Sequence, residues 1–230
     1  MARRPRVLLL WPGTTGAAGG NFGVPQLVGL SSYVKARTGC EVHVRDLVAE
    51  RALGSLSLQR LFEGDYGEGY AVVGISVYSS FDWLLCQELA RRARALLPDA
   101  VIVAGGYHAS ARPTEIVADG SPFDVCVVGE GEIPLARIVE SVAGGAPIRG
   151  QILGSEPIEH LDDLPETDWT VLDRYRGVAR SVASQAQLSS REIPRSSRSS
   201  ARPGASTPTS SACARSRRGR SLAACPGART

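Results

Sequence analysis

Small, polar and side-chain-free residues cluster in four loops of this chain, and together they suit the close approach of a ligand to the backbone. Gly105-Gly106, with His108 two residues on, removes side chains that would hold a bulky planar molecule away from the main chain. Ser76, Ser79 and Ser80, with Tyr78 among them, offer compact hydroxyls that both donate and accept hydrogen bonds. Gly129-Glu130-Gly131-Glu132 joins two glycines to carboxylates that can accept from ligand amides or hydroxyls. The fourth loop, Pro12 to Gly23, is glycine-rich and has Thr14 near its start. Each has an ordinary structural explanation: serines cap helices, paired glycines make tight turns, and acids at a helix start offset its dipole by about 0.3–1 kcal/mol. What favours a ligand site is that all four fall on one edge.

That edge follows from the elements that precede the loops. Val7 to Leu10, Ala71 to Ser76, Ala100 to Ala104 and Asp124 to Val128 are short apolar, largely β-branched runs closed by turn residues, the pattern of strands buried on both faces. Glu41 to Leu47 alternates Val42 and Val44 and is a further strand, nearer an edge. Helices separate them. One opens at Pro25, carries Leu27, Leu30 and Val34, and stops at Gly39. A second, capped by Ser80 or Asp82, carries Leu85, Leu89, Ala93 and Leu96. A short one spans Pro113 to Val117, and the last, from Pro134, carries Leu135, Ile138, Val139 and Val142. Residues 48–69 suggest one or two short helices and hold no motif. Strands alternating with helices at this rhythm predict an α/β fold: a doubly wound, five-stranded parallel sheet in the flavodoxin-like order 2-1-3-4-5. Ligands of such sheets bind beyond the carboxyl ends of the strands, where the four loops lie.

Composition narrows the function. The chain of 230 residues has 26 basic and 23 acidic residues, a formal net charge of +3. From Ala183 onward, nine arginines face one acid, Glu192, so the positive charge belongs to the tail and the region before it is mildly acidic. Nucleic acid is therefore not expected at the folded face. The tail is Ser, Arg, Ala, Pro and Gly without aromatics, and residues 183–230 are expected to be disordered. Five cysteines, at 40, 86, 126, 213 and 225, show neither zinc nor iron–sulfur spacing, and no metal site is expected. The basic start leads into an apolar run of about four residues, shorter than the roughly 7 to 15 of an export signal. No span suits a membrane, and a cytoplasmic location is expected. His43 and His160 read as surface positions. Residues 151–182, with two prolines and clustered acids from Glu156, read as a strap or linker packed by Leu161, Leu164, Trp169 and Tyr175.

Val73-Gly-Ile-Ser76, Val103-Ala-Gly-Gly-Tyr-His-Ala109 and Val128-Gly-Glu-Gly-Glu132, followed by His160-Leu-Asp-Asp-Leu-Pro165 and Asp168-Trp169, occur in one collinear order. This set resembles the N-terminal cobalamin-binding domain of B12-dependent radical S-adenosylmethionine proteins over roughly residues 5–176, and the ordered set is more specific than any member. The resemblance implies a Rossmann-like domain, residues 1–150, that holds cobalamin at the C-terminal strand edge, with the nucleotide tail running between sheet and helices. Residues 161–175 would be the connector to a catalytic barrel.

Two departures qualify that implication. Many B12 domains carry D-x-H-x-x-G after the first strand, and its histidine ligates cobalt; here the loop is Trp11-Pro-Gly-Thr-Thr-Gly16. Its absence is common among the radical-enzyme relatives, and His108 is read as a hydrogen-bonding wall residue. The family's barrel, with an iron–sulfur cluster on C-x-x-x-C-x-x-C and S-adenosylmethionine, has no counterpart after Ala183. The expectation is a truncated or frameshifted product, not catalytic alone, with cluster and S-adenosylmethionine confined to full-length relatives. Two other functions stay open. A nucleotide or flavin binder would use Gly13 to Gly23 as a phosphate cradle, though neither G-x-G-x-x-G nor G-x-x-x-x-G-K-[ST] is present. A cofactor-free, receiver-like interaction domain would need acids where Trp11 and Pro12 stand. Oligomeric state is not legible.

Overall fold

All six residues of β1 (Arg6–Trp11) are buried, Val7, Leu9 and Trp11 in one core and Leu8 and Leu10 in another. A strand whose two faces are both apolar needs a covering layer on each, and the protein supplies it. In the computed structural model, residues 4–13, 24–64, 69–146 and 148–176 are described. The chain divides into two units, Met1–Arg191 and Glu192–Thr230, and every described residue lies in the first. The expectations for Thr14 and its loop to Gly23, and for the tail 183–230, lie outside the described residues.

After β1 come α1 (Val24–Thr38), β2 (Glu41–Asp46), α2 (Leu47–Ala52), α3 (Leu58–Glu63), β3 (Val72–Ser76) and α4 (Trp83–Leu96). Then follow β4 (Val101–Gly105), α5 (Tyr107–Ala111), α6 (Pro113–Ile116), β5 (Val125–Val128), α7 (Glu132–Ala143) and β6 (Gln151–Gly154). The sheet is parallel throughout, in the order β2-β1-β3-β4-β5-β6. The α1 and α7 side packs Val7, Leu9, Val103 and Val127 against Leu27, Val28, Leu135 and Ile138. The α4 side packs Leu8, Leu10, Val73 and Ile75 against Cys86, Leu89, Ala90 and Ala93.

The expected five strands become six. Residues Gln151-Ile-Leu-Gly154 pair with Val125–Val128 at the start of the stretch read as a linker. This edge strand is largely exposed, and only Leu153 packs on a core, so neither alternation nor an apolar run announces it. Its pairing is supplied by β5. The boundary of β2 also shifts by one residue, because the Asp46 carboxylate accepts from the backbone N of Val48 (2.9 Å) and Ala49 (3.2 Å) and so starts α2 at Leu47. Among the described residues no helix is long and apolar enough to cross a membrane.

Burial raises the Cys86 thiol to about 12, with the Asp82 charge adding to the effect, and burial alone raises Cys126 to about 11. Only a thiolate reacts readily. Native protein treated with iodoacetamide at pH 8 is therefore expected to leave both cysteines unmodified, and denaturant to expose them. Peptide mass mapping checks this.

Candidate functional site

At the carboxyl ends of β3, β4 and β5 a cavity of about 500 Å³ opens and runs down between the sheet and helices α1 and α7. Its mouth is built by Ser76, Tyr78, Gly105, Gly106 and the loop Gly129-Glu130-Gly131-Glu132. Its floor and walls are Leu9, Gly74, Val103 and Val127 of the sheet with Leu27, Leu30 and Leu135 of the two helices. The lining is mostly apolar with a few polar groups at the mouth, the usual make-up of a cofactor site.

The double glycine divides into two roles. At Gly105 a Cβ would meet no atom within 4 Å, so this position opens directly on empty space at the cavity. Gly106 has φ +102, and a Cβ there would lie 2.9 Å from the carbonyl oxygen of Val77. Two backbone bonds bracket that close crossing, Val77 N donating to Gly105 O (2.7 Å) and His108 N to Val77 O (3.1 Å). Gly106 is thus demanded by the backbone, whereas Gly105 leaves room for a ligand.

Eight of the twelve residues singled out from sequence line the cavity: Ser76, Tyr78, Gly105, Gly106, Gly129, Glu130, Gly131 and Glu132. Three others are placed elsewhere. Ser79 caps the 3₁₀ turn Ser80–Asp82, its hydroxyl accepting from Phe81 N at 3.1 Å. Ser80 Oγ and His108 Nδ1 are 3.0 Å apart, and the His108 ring lies 5.4 Å from that of Trp83, which stacks on Phe123 in the α4-side core. His108 sits in α5, directly after the glycines, and does not line the cavity. Its Nε2 is buried without a hydrogen-bond partner. No histidine lines the cavity among the described residues, and none of their His, Cys, Asp and Glu side chains group in threes as a metal site.

Sequence reasoning missed the α1 and α7 wall and Ser110. Leu27, Leu30 and Leu135 read as core because lining an apolar cavity and filling a core demand the same side chains. Ser110 of α5, whose hydroxyl accepts from Gly129 N at 3.0 Å, ties that helix to the β5 loop. Its position five residues beyond Gly105, on the short helix that follows the glycine pair, was the available signal.

Fold and cavity define a class: an open, parallel α/β module with a cavity at the carboxyl ends of its strands. The family model "B12 binding domain" matches residues 18–139, more than half of the chain, and the chain belongs to this family. Two solved structures share the fold. One is the cobalamin-dependent S-adenosylmethionine radical enzyme OxsB with aqua-cobalamin and S-adenosylmethionine bound (TM-score 0.55, 14% identity), the other the same enzyme with aqua-cobalamin bound (0.54, 15%). Each match covers 74% of this chain and 25% of the other, so the chain corresponds to about a quarter of those proteins. No curated protein matches the chain.

Proposed function

We propose that this chain binds cobalamin at the C-terminal edge of its sheet, as the B12 module of a radical S-adenosylmethionine methyltransferase-like or rearrangement enzyme. The observation that carries the proposal is the cavity at that edge, with Gly105 bare at its mouth and an apolar channel behind it. A corrinoid is a broad macrocycle with amide-bearing arms and a nucleotide tail. Gly105 admits its close approach, Ser76, Tyr78, Glu130 and Glu132 meet its amides and hydroxyls, and the channel walled by Leu27, Leu30 and Leu135 takes the tail out of water. When bound, cobalamin supplies the methyl-carrying or one-electron chemistry of its cobalt. The protein's own part is to hold the group, orient it and shield one side of it from solvent. With no histidine on the cavity among the described residues, this chain's part in holding the group is done by backbone, hydroxyls, the carboxylates of Glu130 and Glu132, and apolar contacts. Residues 161–175 are the connector toward the catalytic portion.

The test is retention. Purified full-length chain is mixed with hydroxocobalamin, desalted, and its visible spectrum recorded. Corrin bands at near-equal stoichiometry are expected. Loss of the bands on desalting, with flavin mononucleotide or a nucleotide retained in their place, overturns the proposal.

A further inference from the structure

The segment beyond β6 returns to the sheet and is fastened at two separate places, one on a helix that walls the cavity and one linked to a cavity residue through Trp11. At the first, the backbone N of Asp168 donates to Ser32 Oγ (2.9 Å), and the Asp168 carboxylate pairs with Lys35 Nζ (3.1 Å). Ser32 and Lys35 belong to α1, whose Leu27 and Leu30 line the cavity. At the second, Tyr175, only 5% exposed, donates its hydroxyl to Glu50 Oε1 (2.6 Å) and accepts from Asp46 N (3.2 Å). Glu50 is itself buried and also takes Arg174 Nε (3.1 Å) and Ser55 Oγ (2.6 Å). Asp46 ends β2 opposite Trp11 of β1, and the Trp11 ring meets Tyr78, a cavity residue, edge-on at 5.5 Å. Between the two fastenings Val171 and Leu172 pack on the α1-side core.

A connector needs none of this to stay solvated. Burying a carboxylate beneath a phenol and an arginine adds little stability over an apolar contact, but the Glu50 bonds are directional and are made only with Tyr175 and Arg174 in these positions. We propose that Asp168–Tyr175 is a strap that holds α1 and the β2–α2 corner in place, presetting the α1 wall and the Trp11–Tyr78 edge of the cavity. Ser32, Glu50 and Tyr175 are its positioning residues. The effect on cofactor affinity rests on the cobalamin proposal above; the hold on α1 does not. A cofactor that needs those walls in place binds more weakly once the strap is loose, because part of its binding energy goes into ordering them.

The test uses the full-length chain with Tyr175→Phe, Ser32→Ala and the pair, each substitution removing one hydroxyl oxygen while keeping the packing. Amide hydrogen exchange without cofactor is expected to quicken in peptides covering 27–35 and 46–52 in the double variant, and to stay unchanged in β4 and β5. Affinity for hydroxocobalamin is expected to fall about tenfold, within the roughly 5- to 150-fold span of such couplings. Unchanged exchange in α1 overturns the strap, and so does exchange that quickens equally in β4 and β5. Quickened α1 exchange with unchanged cobalamin affinity overturns the coupling. Quickened α1 exchange in a protein that never retains cobalamin supports the strap and overturns the cobalamin proposal instead.

Discussion

Gly105→Val is expected to fold normally and to lose cobalamin. Gly105 ends β4, paired with Ser76 of β3, in an ordinary extended stretch where a β-branched residue is welcome. Nothing lies within 4 Å of the position its Cβ would take, so the added Cβ clashes with nothing and the γ-carbons it carries start from open space. Those carbons instead occupy the space at the cavity mouth that the macrocycle would use. A thermal melt within a few degrees of wild type, with hydroxocobalamin affinity reduced about 100-fold or more, is the expected result, equivalent to about 2.7 kcal/mol of binding. Undiminished retention by a folded Gly105→Val protein would place the ligand elsewhere. Its neighbour provides the contrast. Gly106→Val forces a side chain onto φ +102 and against the Val77 carbonyl, so the loss there is of stability first and of binding as a consequence. Two adjacent glycines thereby separate a binding role from a folding role in one pair of melts and spectra.

Asp124→Ala is expected to produce the largest loss of stability of any single side-chain truncation away from the apolar cores. The Asp124 carboxylate is 5% exposed at the amino end of β5, far along the strand from the cavity mouth. One oxygen accepts from Ile102 N of β4 (2.8 Å) and from Arg94 at the end of α4, and the other from Arg149 (2.9 Å), just before β6. One carboxylate thus joins a helix end, an inner strand and the approach to the edge strand. Its removal leaves a buried N–H unsatisfied and strips the half-buried Arg94 of its carboxylate, leaving that guanidinium only the carbonyls of Pro98 and Ala100, a change that costs about 3–5 kcal/mol. For a domain of this size that corresponds to a fall of roughly 10 °C in melting temperature. Arg149→Ala removes a mostly exposed partner and is expected to cost under about 1 kcal/mol. Urea titration of the three proteins measures both values, and equal stabilities for wild type and Asp124→Ala would refute the account.

The cavity mouth was more legible from residue types than its depth. Glycines and serines at strand ends are unusual enough to be noticed, and Ser76, Gly105 and the Gly129–Glu132 loop do meet there. His108 was conspicuous for its chemistry, yet α5 begins immediately after Gly106 and carries the imidazole to Ser80 and Trp83. A helix of five residues following a glycine pair leaves no periodicity to read. The α1 wall was hidden for the opposite reason: Leu27 and Leu30 look like any core residues, and only the gap between helix and sheet distinguishes the two.

Local sequence by itself determined the alternation of strands and helices, the burial of both sheet faces and the edge on which small residues collect, because hydrophobic period and turn chemistry act over a few residues. Tertiary structure alone decided that Gln151–Gly154 is a strand, that Tyr175 returns to Glu50 across 125 positions, and that Gly105 rather than Gly106 faces open space. Those outcomes depend on which distant backbone or side chain arrives to satisfy a buried polar group or to leave a gap, and no short window of residues encodes that.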